Sequence, residues 1–332
     1  MHPLLRALAA DRLGVFTSQD ALRVGYRVED IRAELGTRRW VRIRKGVYIR
    51  AQDLAAADDR DRHLIHCVGV LLSVGPGPVL SHGSAARLHG LILPLRPPSE
   101  VRLTSDDQWR RGRGYRVAQA TMTADEVEPW MTFRAFSVPR TLVDCAREWP
   151  LTDGVVAIDA ALQEKTTTRD ELVGAVLAGS HRAGIAQAAR AVGLADGRAE
   201  SPLETRGRLA LLASGLPRPE LQVEIHDATG FIGRMDGWYE EAAVALEFDG
   251  QVKYTDPRYA SSPAEVLWKE KRREDRVRAV GIRVVRIANE DLGQPWAGVV
   301  ARIGDLLAAP YLGPRRFRAV RMDEPGGAAD AA

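Results

Sequence analysis

The chain has 332 residues, of which 45% are hydrophobic and 27% charged, and its formal net charge is +3. This balance is typical of a soluble globular protein with room for two or three domains, and it excludes disordered and collagen-like chains. Two cysteines are too few for a disulfide framework or a four-cysteine zinc site, and the longest apolar run, residues 67–80, is shorter than the roughly 20 residues of a membrane span, so we expect a cytoplasmic protein without a membrane partner.

Positive charge is concentrated at the start of the chain. Residues 1–50 hold eleven Lys or Arg and five Asp or Glu, a net charge of +6, so the other 282 residues carry −3. A compact basic module of this kind favours a polyanionic partner such as nucleic acid. A solvated basic surface is the alternative interpretation of the same composition.

Residues 1–50 predict three short helices followed by a β-hairpin. Leucines mark a first helix, Thr17 to Asp20 is a capping signal for a second, and an amphipathic third helix covers about 27–35. Residues 40–44 alternate between apolar and basic, Lys45-Gly46 turns the chain, and residues 47–49 return. This order predicts a winged helix-turn-helix, with the third helix entering the major groove and the hairpin as its wing.

The basic side chains of this segment are the predicted contacts to duplex DNA. Arg42 and Arg44 should share one face of their strand, while Val41 and Ile43 share the other face and pack. The predicted DNA-binding residues are Arg27, Arg32, Arg38, Arg39, Arg42, Arg44 and Lys45.

Two further segments follow, each after a polar linker. Residues 58–192 predict a mixed α/β unit, with helices near 63–74, 81–91, 139–147, 153–164, 169–178 and 182–192 and two strands around a basic loop at 109–113. Residues 200–308 predict the order α-β-β-β-α-β, which is an α/β sandwich, with its second helix at 263–280. Residues 323–332 are rich in Gly and Ala, and we expect them to be disordered.

Acidic residues give the third segment its strongest chemical signal. Glu204 lies on its first helix, Asp236 on a strand, and Glu247 and Asp249 point to one face at the end of a nearly all-apolar strand. Carboxylates brought together repel unless a hard cation such as Mg²⁺ neutralises them, and Mg²⁺ with carboxylates suits phosphodiester hydrolysis. Unrelated solvated acids are the alternative.

The third segment resembles the very-short-patch-repair endonuclease-like branch of the PD-(D/E)XK nuclease superfamily. The residues that carry the resemblance are Arg234-Met235-Asp236, Leu246-Glu247-Phe248-Asp249-Gly250, residues 268–276 and residues 281–286. The resemblance implies that Asp236 and Glu247 hold Mg²⁺ or Mn²⁺, and that Glu204 orients the water or the metal. It therefore implies a C-terminal nuclease-like domain.

One position departs from the superfamily pattern. The lysine expected two residues after Glu247 is Asp249, so a cation near the attacked phosphate must come from elsewhere. Lys253 lies just past Gly250 and is the first choice, with Lys269 or Lys271 of the next helix as the second. A phosphate-binding or merely solvated face is the alternative role for the basic residues at 269–278.

The first segment resembles the N-terminal winged-helix domain of the AbiEi-type antitoxins of type IV toxin–antitoxin systems. The resemblance rests on residues 14–22 and 40–48, and residues 80–90 and 139–144 resemble the region that follows in such proteins. It implies autoregulatory DNA binding and, for true antitoxins, a cognate toxin as partner. Two hypotheses therefore stand: a metal-dependent DNA endonuclease, or an antitoxin-type regulator whose nuclease fold is inactive.

Overall fold

The computed structural model describes residues 1–249, 272–309 and 311–321, which form a mixed α/β protein. Its contacts divide the chain into two units, Met1–Ala157 with Asp170–Val192, and Ile158–Arg169 with Gly193–Ala332. The predicted segment 1–50 and most of 58–192 fall in the first unit, and 200–308 falls in the second. Within the described ranges, no helix combines the length and the apolar composition that crossing a membrane requires.

The first fifty residues contain the three predicted helices and the predicted hairpin, together with one short strand that the sequence did not indicate. The elements are α1 (Pro3–Ala10), β1 (Phe16–Thr17), α2 (Ser18–Arg23), α3 (Val28–Gly36), β2 (Trp40–Arg44) and β3 (Val47–Arg50). The strands form an antiparallel sheet in the order β1-β3-β2.

Local sequence explains these boundaries. The Thr17 hydroxyl accepts a hydrogen bond from the Asp20 amide, while the Asp20 carboxylate accepts one from the Thr17 amide, and this capping box begins α2. Gly46 has φ +72°, the left-handed conformation that the tight turn between β2 and β3 requires. Phe16 of β1 packs edge-on against Trp40 of β2 with ring centroids 4.6 Å apart, and both rings share a buried cluster with Leu5 of α1 and Ile31 of α3.

The rest of the first unit surrounds a six-stranded sheet in the order β6-β7-β5-β4-β9-β8. Three of its helices, α8, α9 and α10, extend across the boundary with the second unit. Its elements are α4 (Ala51–Ala56), α5 (Asp59–Val74), β4 (Val79–Leu80), α6 (His82–Leu88), β5 (Val101–Ser105), β6 (Arg110–Gly112), β7 (Tyr115–Gln119), β8 (Val127–Trp130), β9 (Phe133–Phe136), α7 (Val138–Glu148), α8 (Leu151–Gln163), α9 (Arg169–Ala178) and α10 (Ile185–Leu194).

The predicted helices of this region are confirmed within a few residues, but the strands are less well predicted. The segment 109–113, expected to be a loop, contains β6, which pairs with β7. Its residues Arg110 and Arg111 are exposed, so no apolar alternation marked it as a strand.

The second unit follows the predicted order α-β-β-β-α-β and adds a strand near its end. Its elements are α11 (Pro202–Ala213), β10 (Glu220–Asp227), β11 (Gly230–Tyr239), β12 (Val244–Asp249), α12 (described over 272–279), β13 (Arg283–Ala288), α13 (Trp296–Ala308) and β14 (Arg318–Val320). The sheet order is β13-β12-β11-β10-β14, and only the β12–β13 pair is parallel among the described strands of this sheet. The segment 323–332 lies outside the described residues.

The two faces of this sheet pack against different helices. Leu246 and Phe248 of β12 join a buried cluster with Leu211 of α11 and Ile303 of α13. Ala245 of β12 joins a second cluster that includes Val277 of α12. Because side chains alternate along a strand, Glu247 and Asp249 project towards the α12 face.

Candidate functional site

Glu204 lies in the first turn of α11 and is held there by its own helix terminus. The Ser201 hydroxyl caps the helix by accepting a hydrogen bond from the Glu204 amide at 3.2 Å. In return, the Glu204 carboxylate accepts hydrogen bonds from the Ser201 hydroxyl and from the Glu200 amide, both at 2.9 Å. The side chain is buried, and these hydrogen bonds fix the position of its carboxylate.

Gln222 on β10 provides a further contact to this carboxylate. Its side-chain amide nitrogen donates to Glu204 Oε2 at 2.9 Å. Gln222 has φ +54°, an unusual conformation for a non-glycine residue within a strand. Its side-chain oxygen is buried and has no hydrogen-bond partner among the described residues. The sequence carried no signal for this residue.

Asp236 lies where β11 separates from β12. The β11–β12 ladder ends with the pair Gly237–Leu246. One residue further, the Asp236 carboxylate accepts a hydrogen bond from the Phe248 amide at 2.8 Å. Burial, and then the nearby negative charge of Asp236, raise the pKa of Glu204 to about 7. The structure therefore brings together Glu204 and Asp236, which are 32 residues apart in the sequence.

Glu247 is surrounded by cations. Its carboxylate pairs with Arg273 of α12 at 2.8 Å and with Arg286 of β13 at 3.4 Å. Arg286 is the register partner of Glu247 in the parallel β12–β13 pair, and it also contacts Glu274 at 2.9 Å. These arginines compensate the charge of Glu247, a role that the sequence did not reveal because it depends on strand pairing.

Of the other residues predicted for the metal site, the structure describes Asp249 and none of the three lysines. Asp249 ends β12, paired in register with Ala288. Lys253, Lys269 and Lys271 lie outside the described residues. Within the described ranges, no group of three or more His, Cys, Asp or Glu side chains is arranged to hold a metal ion. The described part of the site is thus a pair of carboxylates, Glu204 and Asp236, while Glu247 projects towards the α12 face and is paired with arginines.

The predicted DNA-binding residues of the first unit differ in their surroundings. Arg32, Arg38, Arg42 and Lys45 are exposed on α3, on the turn after it and on the hairpin. Arg27 pairs with Asp30 at 3.4 Å, and Arg39 pairs with Glu34 at 2.8 Å, although both arginine side chains stay mostly exposed. Such exposed pairs contribute little stability, and both arginines can exchange partners at low cost.

Arg44 departs from the predicted arrangement. A register shift between Arg42 and Arg44 interrupts the β2–β3 pairing, so the simple alternation expected for this strand does not hold. The Arg44 guanidinium lies 4.8 Å from the centroid of the Tyr115 ring and donates to the Arg113 carbonyl at 3.1 Å. Arg42 is exposed, whereas Arg44 is half-buried against the β6–β7 hairpin.

Comparison with known proteins identifies a few relatives, and no protein-family model matches the chain. Two uncharacterized proteins of Mycobacterium tuberculosis, MT2308 and Rv2248, are each 33% identical over 163 residues. The match covers 49% of this chain and 58% of each relative, so the chain spans little more than half the length of these curated relatives. The crystal structure of the RV2827C protein from Mycobacterium tuberculosis has a TM-score of 0.40 and 19% identity, covering 66% of this chain and 82% of that chain. The names of these proteins state no activity.

Proposed function

We propose that this protein binds duplex DNA through residues 1–50, as a winged helix, and hydrolyses phosphodiester bonds through a PD-(D/E)XK-type domain in residues 200–308. The order of helices and strands in the second unit is compatible with that fold. The observation that carries the proposal is the juxtaposition of Glu204 and Asp236, with the pKa of Glu204 raised to about 7. Perturbed carboxylates of this kind are frequent at catalytic sites.

The chemistry of the site fits a hard divalent cation. A cation bound between the two carboxylates would reduce the repulsion between them. The side-chain oxygen of Gln222, which has no hydrogen-bond partner among the described residues, is a further oxygen atom that could bind the cation. Mg²⁺ is commonly bound by one or two carboxylates and keeps several waters, so a site with few protein ligands is compatible with it. Mn²⁺ accepts the same oxygen ligands.

The proposed roles follow from these positions. A bound cation would supply activation of water and stabilisation of the leaving oxygen. Asp236 is the proposed metal ligand. Glu247 can be the second ligand only if its carboxylate leaves Arg273 and Arg286 and binds the metal instead. Glu204, with a pKa of about 7, can take up or release a proton near neutral pH and is the proposed residue that orients the attacking water. Lys253 remains the proposed cation near the phosphate, since Asp249 cannot serve there.

The rival function is an antitoxin-type regulator that binds DNA and a cognate toxin without cutting DNA. The pairing of Glu247 with two arginines favours it, because a metal ligand is usually not already neutralised by protein cations. Asp249 at the position of the superfamily lysine favours it as well. The toxin partner follows from the resemblance of the first segment to AbiEi-type antitoxins.

Cleavage of supercoiled plasmid DNA in Mg²⁺ or Mn²⁺ distinguishes the two functions. We expect Asp236→Ala to lower the cleavage rate by at least about 100-fold, because the proposed metal ligand is removed. Glu241→Ala is the matched control, since Glu241 is an exposed acid in the turn before β12. DNA binding measured in EDTA should be equal for both variants.

Two results would contradict the nuclease. Equal cleavage by the wild type and Asp236→Ala would mean that the activity arises elsewhere. If the wild type binds DNA but leaves the plasmid uncut in both Mg²⁺ and Mn²⁺, the result would favour the regulator.

A further inference from the structure

A large cavity in the first unit is not part of the proposed site. It has a volume of about 1170 Å³ and is formed by the β2–β3 turn, the start of α5, the end of α6 with the loop that follows it, and the β6–β7 turn. All of its lining residues belong to the first unit. Its volume is slightly above the range of about 300–1,000 Å³ that is usual for small-molecule sites.

The lining of this cavity is strongly basic. Six cationic side chains and one carboxylate, that of Asp59, contribute to it. The cationic residues are Arg44, Lys45, Arg60, Arg62, Arg87 and Arg113. A concave site lined by one sign of charge focuses the electrostatic field and attracts ions of the opposite sign.

Backbone carbonyls, rather than carboxylates, hold several of these arginines in place. Arg60 donates to the carbonyls of Arg87 and Leu88 at 2.8 and 2.7 Å. Arg87 donates to the carbonyls of Gly83 and Pro98 at 3.1 and 3.0 Å. Among the described residues, the cavity arginines form one ion pair with a carboxylate, Arg62 with Asp59 at 3.8 Å, and that Asp59 side chain is fully exposed. The guanidinium groups are therefore oriented but keep their positive charge.

Two histidines of the cavity respond to this charge. Burial, followed by the positive charge of Arg87, lowers the pKa of His63 to about 4. Desolvation, followed by the charges of Arg44 and Arg62, lowers the pKa of His66. Burial is the larger cause of both shifts, and the arginine charges act in the same direction, as expected beside a positively charged lining.

Part of the cavity lining is an apolar wall. Leu91, Leu93, Pro97 and Val101 contribute to it, together with Ile43 of β2. A fully inorganic anion would leave this wall in contact with water, whereas a ligand with both an anionic and a flat apolar part would use both surfaces.

We propose that this cavity binds a phosphorylated small molecule of the nucleotide class. The phosphates contact the arginines at the start of α5 and in the β6–β7 turn, and the base contacts the apolar wall. The inference goes beyond the proposed nuclease or regulator and does not depend on either. Lys45 belongs both to the cavity and to the predicted DNA surface, so a bound ligand would compete with DNA for this lysine.

Titration of the full-length protein with fluorescently labelled ATP tests the proposal. We expect saturable binding to one site, measured by fluorescence anisotropy. Unlabelled ATP and inorganic tripolyphosphate should displace the label, ATP at the lower concentration, and adenosine should not. This pattern separates recognition of phosphate from recognition of the base.

Matched double variants locate the binding. Arg62→Gln with Arg113→Gln removes two exposed cations of the cavity and should weaken ATP binding at least about tenfold. Arg110→Gln with Arg111→Gln removes the same charge from exposed positions on β6 that do not line the cavity, and should change the affinity less than about twofold. His66→Glu, which places an acid in the cavity, should reproduce the loss if the first pair unfolds.

Three results would overturn the proposal. One is the absence of saturable ATP binding, and another is equal weakening by the two double variants, which would indicate general attraction to a basic surface. The third is displacement of the label by a DNA duplex but not by tripolyphosphate, which would assign the cavity to the DNA interface.

Discussion

At the scale of single residues, Glu204 has the clearest physical consequence. Its folded-state pKa of about 7 lies above its ordinary value of 4.5, because burial and Asp236 disfavour the charged form. Between pH 4.5 and about pH 7, the Glu204 carboxyl group is therefore mostly protonated in the folded state and mostly ionised in the unfolded chain. The stability linked to this group is present below the unfolded pKa and is lost as the pH rises through about 7.

Replacing Glu204 by Gln should remove this pH dependence. Between about pH 5 and about pH 8, we expect the wild type to lose roughly 2 kcal/mol of unfolding free energy that Glu204→Gln does not lose. Urea unfolding at both pH values measures the difference. The control is Glu241→Gln, which changes an exposed acid and should keep the wild-type dependence. Parallel pH profiles for the wild type and Glu204→Gln would contradict the assigned pKa.

At the scale of elements, the contact of α11 with β12 positions this carboxylate. A Cβ atom added at Gly207 would lie 2.1 Å from the Phe248 ring, so only glycine allows the helix to lie this close to the strand. Glu204 is one helical turn before Gly207, and Phe248 follows Glu247 on β12. The separation between helix and strand therefore sets the distance between the site residues.

Gly207→Ala should consequently destabilise the second unit. We expect the free energy of unfolding to fall by about 1–3 kcal/mol, because the added methyl group forces the helix away from the strand. Gly298→Ala in α13 is the matched control: nothing lies within 4 Å of its added Cβ, and it should be neutral or stabilising by up to about 1 kcal/mol. Urea unfolding measures both stabilities. Equal values for the two variants would show that α11 and β12 can move apart to accept the methyl group at no cost in free energy.

The β2 strand shows how an element can depart from its own pattern. The sequence alternates apolar and basic residues over 40–44, which predicts that Arg42 and Arg44 share a face. The register shift between them and the Tyr115 ring beside Arg44 give the two arginines different roles. Such a shift is set by the partner strand and by packing, so alternation in one strand could not predict it.

At the scale of the whole molecule, the proposed DNA surface and the proposed carboxylate site belong to different units. DNA binding should then depend on the basic residues of the first unit. We expect log K for duplex DNA to fall linearly with log of salt concentration, and Arg32→Ala and Arg42→Ala each to reduce that slope by about 1. Arg190→Ala on α10 is the control, because it removes the same charge from an exposed position outside residues 1–50. An unchanged slope in all three variants would remove residues 1–50 from the interface.

The sequence by itself determined most of the helices, the capping of α2, the hairpin turn at Gly46 and the order of helices and strands along the second unit. These features depend on near neighbours along the chain, which hydrophobic periodicity and capping residues report directly. It also indicated Glu204, Asp236 and Glu247 as candidate residues, because acids at the ends of apolar elements are conspicuous.

Only the tertiary structure decided which of these residues meet. The fold packs α11 against β12 and so brings Glu204 to Asp236 and Gln222, while the parallel register of β12 with β13 brings Arg286 to Glu247. The basic cavity likewise joins residues from 43 to 114 that share no sequence motif. Partners of this kind depend on strand order and on which faces pack together, and no local pattern in the chain encodes either.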